Sequence, residues 1–248
     1  MNLTDITKFI INLDHRTDRL QAIDKEFKYM GWEYERFPAV NAGHTQPHTG
    51  CTHSHIEIAR IAKERGLNCY MVFEDDAAFM PYIHEKLAKY NELLDEIEWD
   101  MFHFGPAFHS EVKKDRKHAP LVHLSDDIIH TKHNSGREVL TTHAMLIKNT
   151  MYDDLLAIDV SDHQPIDEYL GRQLYKKYNC YCGDWPLASQ VAGFSDINQT
   201  QDNTHFTITY NWKLYVNNDF PQEYQDPIQY IQQQKLDELY MLKGCKKL

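Results

Sequence analysis

The stretch CYMVFEDDA, residues 69–77, contains the clearest strand signal in the chain. Five consecutive apolar residues bounded by polar ones are typical of a strand that is buried within a sheet. Three carboxylates, Glu74, Asp75 and Asp76, follow this run directly. Because ligands of open α/β sheets bind at the carboxyl ends of strands, the stretch predicts a central strand that carries acidic side chains into a binding site.

Short apolar runs and amphipathic helical patterns alternate on both sides of this strand. Residues 9–13 and 35–40 predict two strands, and apolar residues spaced by three and four predict a helix between them that ends at Gly31. The same criteria predict further strands over 99–104 and 139–147, and helices over 51–65, 81–97, 151–158, 165–178 and 228–239. This alternation predicts an α/β fold with helices on both faces of the sheet.

The composition excludes several classes of protein. The net charge of −11 disfavours binding to nucleic acid, which needs clustered Lys and Arg. No apolar run approaches the roughly 20 residues of a transmembrane segment, and Asp5 and Lys8 interrupt the N-terminal apolar stretch, which therefore lacks a signal-peptide core. Five cysteines at irregular positions predict free thiols. We therefore expect a cytoplasmic protein that does not bind nucleic acid.

The acidic triplet has the chemistry of a site for a hard divalent cation. Side chains alternate along an extended segment, which predicts Glu74 and Asp76 on one side and Asp75 on the other. Two carboxylates on one side repel each other unless a cation lies between them, and oxygen ligands favour Mg²⁺ or Mn²⁺. Such an ion would bind the diphosphate of a nucleotide. The alternative is a solvated acidic turn at the start of the next helix.

Polar residues also follow the first predicted strand. Asn12 and Asp14 lie where side chains of nucleotide-binding sheets contact a base or ribose. Arg16 and Arg19 are three residues apart, hence on a similar helical face, and are suited to pairing with phosphate. The alternative is a helix start with local ion pairs. The chain contains neither a Gly-x-Gly-x-x-Gly nor a Walker-type loop, which excludes an ordinary dinucleotide site and a P-loop enzyme.

These motifs occur together in a known order. FIINLDHRTDR at 9–19 resembles the INLDxRxxR opening of glycosyltransferase family 25, GCTHSH at 50–55 resembles its GCxxSH element, and FEDDA at 73–77 resembles its EDD element. Further segments that resemble the family, in the same order, lie at 99–105, 142–144, 165–170, 186–190 and 195–197. The family contains lipopolysaccharide-type glycosyltransferases and procollagen galactosyltransferases.

The resemblance implies a glycosyltransferase-A-like α/β fold, with a mixed, mostly parallel sheet flanked by helices in a single domain. Residues 1–200 are expected to form the catalytic domain, and 201–248 a C-terminal extension with a helical tail that packs on the same domain. The implied reaction is an inverting, metal-dependent transfer of galactose or glucose from a UDP-sugar to a hydroxyl of a glycan, lipid-linked or protein acceptor. The alternative is a catalytically degenerate protein that binds a sugar nucleotide or glycan.

The resemblance also implies roles for particular residues. Glu74 and Asp76 are expected to hold Mn²⁺ or Mg²⁺ against the donor diphosphate. Asp196 and His205 are the candidates for a third ligand. Asp167 is expected to be the catalytic base. Contacts to the donor are expected from Asn12, Asp14, Arg16, Arg19, Asp75 and Asp196. Contacts to donor or acceptor are expected from Ser54, His55, His143 and Glu168. The alternative for both histidines is a role in the core, and the alternative for Glu168 is the role of the base.

Overall fold

The computed structural model of the chain describes residues 2–43, 47–80, 83–110, 122–125, 127–131, 137–162, 164–184, 186–191, 193–197 and 200–202. The helix predicted over 228–239, His205 and nearly all of the predicted extension 201–248 lie outside these ranges. The division into a catalytic domain and a C-terminal extension therefore stays a prediction.

The described strands are β1 (Lys8–Asn12), β2 (Glu35–Pro38), β3 (Cys69–Glu74), β4 (Ala77–Phe79), β5 (Met101–His103), β6 (Ala107–Ser110), β7 (Val122–His123), β8 (Ile128–His130), β9 (Arg137–Leu140), β10 (Ala144–Lys148), β11 (Cys180–Gly183), β12 (Ala188–Gln190), β13 (Gly193–Ser195) and β14 (Thr200–Asp202). Eight of them form the central sheet, in the order β2-β1-β3-β10-β5-β11-β8-β7. Strands β10 and β8 run against the other six, which share one direction. The pairs β4–β12, β6–β9 and β13–β14 are antiparallel. The expected mixed, mostly parallel sheet is confirmed.

Helices cover both faces of this sheet. They are α1 (Thr17–Met30), α2 (Pro47–Glu64), α3 (Ile83–Glu96), α4 (Tyr152–Leu156) and α5 (Ile166–Tyr169), which continues into a π-helical turn over Leu170–Leu174. Met71 and Phe73 of β3 pack in one core with α1 and α3, and Val72 packs in the other core with α2 and α4. Burial of each of these three side chains contributes roughly 1.5–3 kcal/mol. The expected α/β architecture is therefore confirmed.

Glycines end the first two helices. Gly31 follows α1 with φ of 64°, and Gly66 follows α2 with φ of 66°. Glycine adopts this left-handed conformation without steric cost, which explains why both helices end where the sequence predicts. None of the described helices combines the length and the apolar composition that crossing a bilayer requires.

The strand predicted over 139–147 is wrong in one respect, because it is two strands, β9 and β10. Thr141 lies between them with φ of 73°, a conformation that cannot continue a strand. Strand β11 has no clear signal in the sequence, since Gly183 is disfavoured in strands. A Cβ on Gly183 would lie 2.1 Å from the ring of Tyr90, so the close packing of that ring explains the glycine.

Candidate active site

A cleft of about 400 Å³ opens at the carboxyl ends of β1 and β3. The loop after β2, the start of α2, the turn after β9, the start of α5 and the segment 190–197 complete its described walls. Among its described lining residues six carboxylates face a single arginine, Arg19. The six are Glu74, Asp75, Asp76, Asp167, Glu168 and Asp196. Since carboxylates repel a diphosphate, such a cleft suits an anionic ligand only together with a cation.

All three residues of the acidic triplet line this cleft. Strand β3 ends at Glu74, and Asp75 and Asp76 form the turn that leads into β4. The alternation predicted for an extended segment therefore stops at Glu74. Because β4 follows the triplet, the triplet does not lie at a helix start, which argues against the helix-capping alternative.

Glu74 is held at one carboxylate oxygen. Its Oε1 accepts a hydrogen bond from Oγ1 of Thr142 at 2.6 Å and lies 3.3 Å from Nε2 of His55. Sγ of Cys51 lies 3.9 Å from the same oxygen. Although burial opposes ionisation, the hydrogen bonds from His55 and Thr142 lower the pKa of Glu74 below its ordinary value. Glu74 is thus an oriented and ionised carboxylate.

Asp76 has one paired and one unpaired oxygen. Its Oδ2 accepts a hydrogen bond from Nη1 of Arg19 at 3.2 Å. Its Oδ1 is buried and meets no donor in good hydrogen-bond geometry among the described residues, although the side chain of Gln190 acts on this carboxyl and lowers its pKa slightly. Burial and the charge of Glu74 raise the pKa of Asp76 to about 7. A buried oxygen without a partner is costly, and a cation beside Glu74 would satisfy it.

Asn12 and Asp75 connect three elements beneath the cleft. Nη1 of Arg19 donates to Oδ1 of Asp75 at 2.9 Å, and Nδ2 of Asn12 donates to Oδ2 of Asp75 at 2.7 Å. The Asn12 side chain also donates to the carbonyl of Arg16 and accepts from Nε of Arg36. Asn12 is 1% exposed and Asp75 is 8% exposed. Both therefore have protein partners, and their direct contact with a donor stays a prediction.

The residues just before α1 and in its first turn hold the segment 193–197 against the cleft. Arg16 forms an ion pair with Asp196, and its Nη1 also donates to the carbonyl of Phe194 at 3.2 Å. Nη2 of Arg19 donates to the same carbonyl at 2.8 Å. Nε2 of His15 lies 3.4 Å from Oδ1 of Asp196. This arrangement brings the first and the last of the family-like motifs together.

The predicted donor-binding residues separate into two groups. Arg19, Asp75 and Asp196 line the cleft, whereas Asn12, Asp14 and Arg16 are not among its described lining residues. The side chain of Asp14 is 80% exposed and pairs with Arg36. A donor contact by Arg16 or Asp14 would therefore require a ligand that reaches beyond the cleft.

Asp167 lines the cleft from the first turn of α5. Its Oδ2 accepts from the backbone N–H of Thr141 at 3.1 Å, and its Oδ1 accepts from the N–H of Glu168 at 2.9 Å. Glu168 also lines the cleft, and its carboxylate pairs with Arg172 at 3.0 Å. The two backbone donors fix the orientation of the Asp167 carboxylate. The left-handed conformation of Thr141 adds local strain of the kind that is found at functional sites.

Ser54, His55 and His143 are buried, and of the three only Ser54 is among the described lining residues of the cleft. The hydroxyl of Ser54 donates to the carbonyl of Gly50 at 2.8 Å and accepts from the N–H of Val40 at 2.9 Å. Burial lowers the pKa of His143 to about 4, so this ring is neutral at physiological pH. These residues shape the wall of the cleft, and their direct contact with donor or acceptor stays a prediction.

A mixed set of potential ligands lies beside the triplet. Sγ of Cys51, a ring nitrogen of His55 and a carboxylate oxygen of Glu74 lie within 4.8 Å of one another. Cys51 and His55 are four residues apart on α2, hence on one helical face. This spacing is visible in the sequence, but the meeting with Glu74 depends on the packing of α2 against β3.

The sheet and the cleft at the carboxyl ends of its strands define an α/β protein with a ligand-binding site at the usual edge. Residues 43–170 match the family described as glycosyltransferase family 25 (LPS biosynthesis protein). The chain belongs to this family. The resemblance drawn from the motifs is confirmed at the level of the family.

Known proteins similar to the chain include two insect relatives, each named Glycosyltransferase 25 family member. The relative from Drosophila melanogaster is 24% identical over 189 residues, and that from Drosophila pseudoobscura pseudoobscura is 25% identical over 189 residues. Each match covers 65% of this chain and only 29% of the relative.

Partial similarity extends to two solved structures. One is a glycosyltransferase involved in the glycosylation of the major capsid of PBCV-1, with a TM-score of 0.35, 11% identity and coverage of 60% of this chain and 62% of that chain. The other is the inositol-1-phosphate CTP transferase from T. maritima, with a TM-score of 0.40, 11% identity and coverage of 71% and 65%.

Proposed function

We propose that the chain is an inverting, metal-dependent glycosyltransferase that moves galactose or glucose from a UDP-sugar to a hydroxyl of a glycan or glycoconjugate. Membership of the family supports glycosyl transfer. The acidic cleft at the carboxyl ends of β1 and β3 is the proposed active site. The buried, unpaired Oδ1 of Asp76 is the observation that carries the metal-dependent part of the proposal.

Glu74 and Asp76 are the proposed ligands of Mn²⁺ or Mg²⁺. Both offer carboxylate oxygens, which are the ligands that these hard cations prefer. Three neighbours hold Glu74 at Oε1, and the raised pKa of Asp76 reflects burial and then repulsion by Glu74, both of which a cation would offset. The residues therefore fit the ion. When bound, the ion would neutralise the charge that develops on the departing diphosphate.

Asp167 is the proposed catalytic base. An inverting transfer is a single displacement, and it needs a base that takes the proton of the acceptor hydroxyl on the face opposite the leaving group. Asp167 lines the same cleft as the triplet but lies on α5, a different wall. The ion pair of Glu168 with Arg172 makes Glu168 the less suitable base, because its carboxylate already has a cationic partner.

Arg19 is the proposed phosphate-binding group, because it contributes the guanidinium to the described lining. Asn12 and Asp75 position it, and Asp196 is proposed to contact the nucleoside. The family description supports a lipopolysaccharide-type glycan or lipid-linked acceptor. Cys51, Cys69, Cys180 and Cys182 are free thiols, which supports a cytoplasmic location.

A nucleotide-release screen across UDP-, GDP- and CMP-sugars tests the proposal as a whole. With a panel of glycan acceptors, we expect UDP release from UDP-galactose or UDP-glucose only when Mn²⁺ or Mg²⁺ is present. Equal turnover in a chelator would contradict the metal role, and release from another nucleotide alone would contradict the donor. Binding of a UDP-sugar without product would favour the catalytically degenerate alternative.

The Asp76→Asn variant tests the site. We expect turnover to fall by about 10²–10³-fold, as when one group that stabilises transition-state charge is removed. Asp153→Asn is the matched control, because that carboxylate is 81% exposed on α4. The anomeric configuration of the product, read by NMR, separates inversion from retention. Retention would contradict the assigned role of Asp167.

A further inference from the structure

We propose that Cys51, His55 and Glu74 form a binding site for a thiophilic divalent cation such as Zn²⁺. One sulfur, one imidazole nitrogen and one carboxylate oxygen are ligands that Zn²⁺ accepts, whereas Mn²⁺ and Mg²⁺ favour oxygen alone. The site is therefore distinct in chemistry from the pair of carboxylates that is proposed to hold the activating ion.

Two of the three separations between the ligand atoms are already those that a zinc site needs, and the third, from Cys51 to His55, is at most 4.8 Å. Nε2 of His55 lies 3.3 Å from Oε1 of Glu74, and Sγ of Cys51 lies 3.9 Å from the same oxygen. Bonds of about 2.0–2.3 Å in a tetrahedral site separate neighbouring ligand atoms by roughly 3–4 Å. Small side-chain movements therefore suffice to admit an ion.

The backbone that carries Cys51 and His55 is firmly held. A Cβ on Gly50 would lie 2.3 Å from the carbonyl oxygen of Val40, so the start of α2 is in direct backbone contact with the loop after β2. Ser54 joins the same loop through its hydrogen bonds to Val40 and Gly50. Ligands on a fixed backbone bind an ion with little loss of conformational freedom.

An ion can reach the site from the cleft. Cys51 and Glu74 line the cleft, and His55 lies behind them at 2% exposure. Three protein ligands leave a fourth position open towards the cleft, as in zinc sites that bind water or a substrate atom. Binding would release the proton of the Cys51 thiol to solvent.

The shared Glu74 gives the site a consequence for activity, which rests on the proposed function. An ion held by Cys51 and His55 would compete for the carboxylate that is proposed to hold Mn²⁺ or Mg²⁺. We therefore expect Zn²⁺ to inhibit sugar transfer and Cys51→Ser to reduce that inhibition.

Titration of the metal-free chain of 248 residues with Co²⁺ tests the site without reference to activity. We expect a thiolate-to-cobalt charge-transfer band, the intense visible bands of four-coordinate Co²⁺, and loss of both on addition of Zn²⁺. Cys51→Ser should abolish the charge-transfer band. It should also weaken Co²⁺ binding by more than ~10–100-fold, which is the loss seen when a residue that only hydrogen-bonds a metal ligand is removed.

Cys69→Ser is the matched control, because Cys69 is also a half-buried free thiol and begins the strand that Glu74 ends. It should keep the band. A wild-type protein without the band, or a band that survives in Cys51→Ser, would overturn the site.

Zn²⁺ should also protect Cys51 of the wild type from alkylation, as mapped by mass spectrometry. Alkylation of Cys51 in the presence of Zn²⁺ would overturn the site even if the Cys51→Ser variant fails to fold. A protein that binds Co²⁺ in this way and transfers no sugar would contradict the proposed function alone.

Discussion

The backbone N–H of Thr141 donates a hydrogen bond to Oδ2 of Asp167 at 3.1 Å, and Thr141 makes this bond with a left-handed backbone, at φ of 73°. Its neighbour Thr142 donates to Oε1 of Glu74 at 2.6 Å. Two consecutive residues thus orient the carboxylate that is proposed as the base and a carboxylate that is proposed as a metal ligand. The break between β9 and β10 is what places both donors at the cleft.

Thr141→Gly should keep the hydrogen bond to Asp167 and relieve strain. A non-glycine residue in the left-handed region costs roughly 1–2 kcal/mol, and the freedom of glycine in the unfolded chain costs roughly 0.5–1 kcal/mol. We expect a free energy of unfolding equal to that of the wild type or up to about 1.5 kcal/mol higher, measured by urea denaturation. Thr141→Ala removes the same buried hydroxyl but keeps Cβ, so the difference between the variants isolates the strain. A glycine variant that is less stable than the alanine variant would contradict this account.

Asp167→Asn should lower the rate of sugar transfer by about 10²–10⁴-fold, the contribution of a general base. The amide can accept only one of the two backbone hydrogen bonds that the carboxylate accepts, and its NH₂ group would face the other donor. We therefore expect stability to fall by about 1–3 kcal/mol, so the rates are compared at a temperature where both proteins are folded. Glu168→Gln is the companion variant, and its turnover should fall far less because Glu168 pairs with Arg172. If Glu168→Gln suffers the larger loss, the role of base moves to Glu168.

Arg19→Ala should destabilise the fold by about 3–5 kcal/mol, because it leaves Asp75 and Asp76 without their shared cationic partner. The carbonyl of Phe194 also loses a donor. Chemical denaturation measures the effect. Arg60→Ala is the control. It removes an ion pair with Glu57 whose two side chains are 48% and 43% exposed, and the loss of stability should stay below about 1 kcal/mol. Equal losses of stability in the two variants would mean that Arg19 contributes no more than an ordinary surface ion pair does.

The affinity for Mn²⁺ should rise with pH and level off above about pH 7. Burial and the charge of Glu74 raise the pKa of Asp76 to about 7, and an ion must displace that proton to bind. Below this pKa we expect about a tenfold gain in affinity per pH unit. Calorimetric titrations at several pH values check the slope, and Asp76→Asn should remove it.

The same proton predicts how the stability of the metal-free protein depends on pH. The folded protein retains the proton up to about pH 7, whereas the unfolded chain loses it near the ordinary pKa of 3.8. The contribution of Asp76 to the free energy of unfolding should therefore decline as pH rises through this window. A metal-free protein whose unfolding matches that of Asp76→Asn across this window would contradict the raised pKa.

Local sequence patterns predict the fold well where a run of apolar residues or a single glycine is enough to set the backbone conformation. The apolar run of β3 and the glycines after α1 and α2 are signals of this kind. The boundary between β9 and β10 is different, because nothing in the identity of Thr141 announces a left-handed backbone. Its conformation follows from contacts with Asp167 and with the strands on either side.

The candidate site shows the same division. The acidic triplet and Asp167 are visible from the motifs, and both line the cleft. The pairing of Asp75 with Asn12 and Arg19 is not visible in the sequence, because Asp75 lies 63 positions after Asn12 and 56 positions after Arg19. The meeting of Cys51, His55 and Glu74 likewise depends on how α2 packs on β3.

The hydrogen bonds that Arg16 and Arg19 donate to the carbonyl of Phe194 have a consequence for the order in which the chain folds during synthesis. Arg16 and Phe194 are separated by 178 residues, so the arginine emerges long before its partner is synthesised. Long-range contacts of this kind form late because the intervening chain must be ordered first. A nascent chain therefore completes the wall of the cleft formed by residues 193–197 only after that segment has left the exit tunnel.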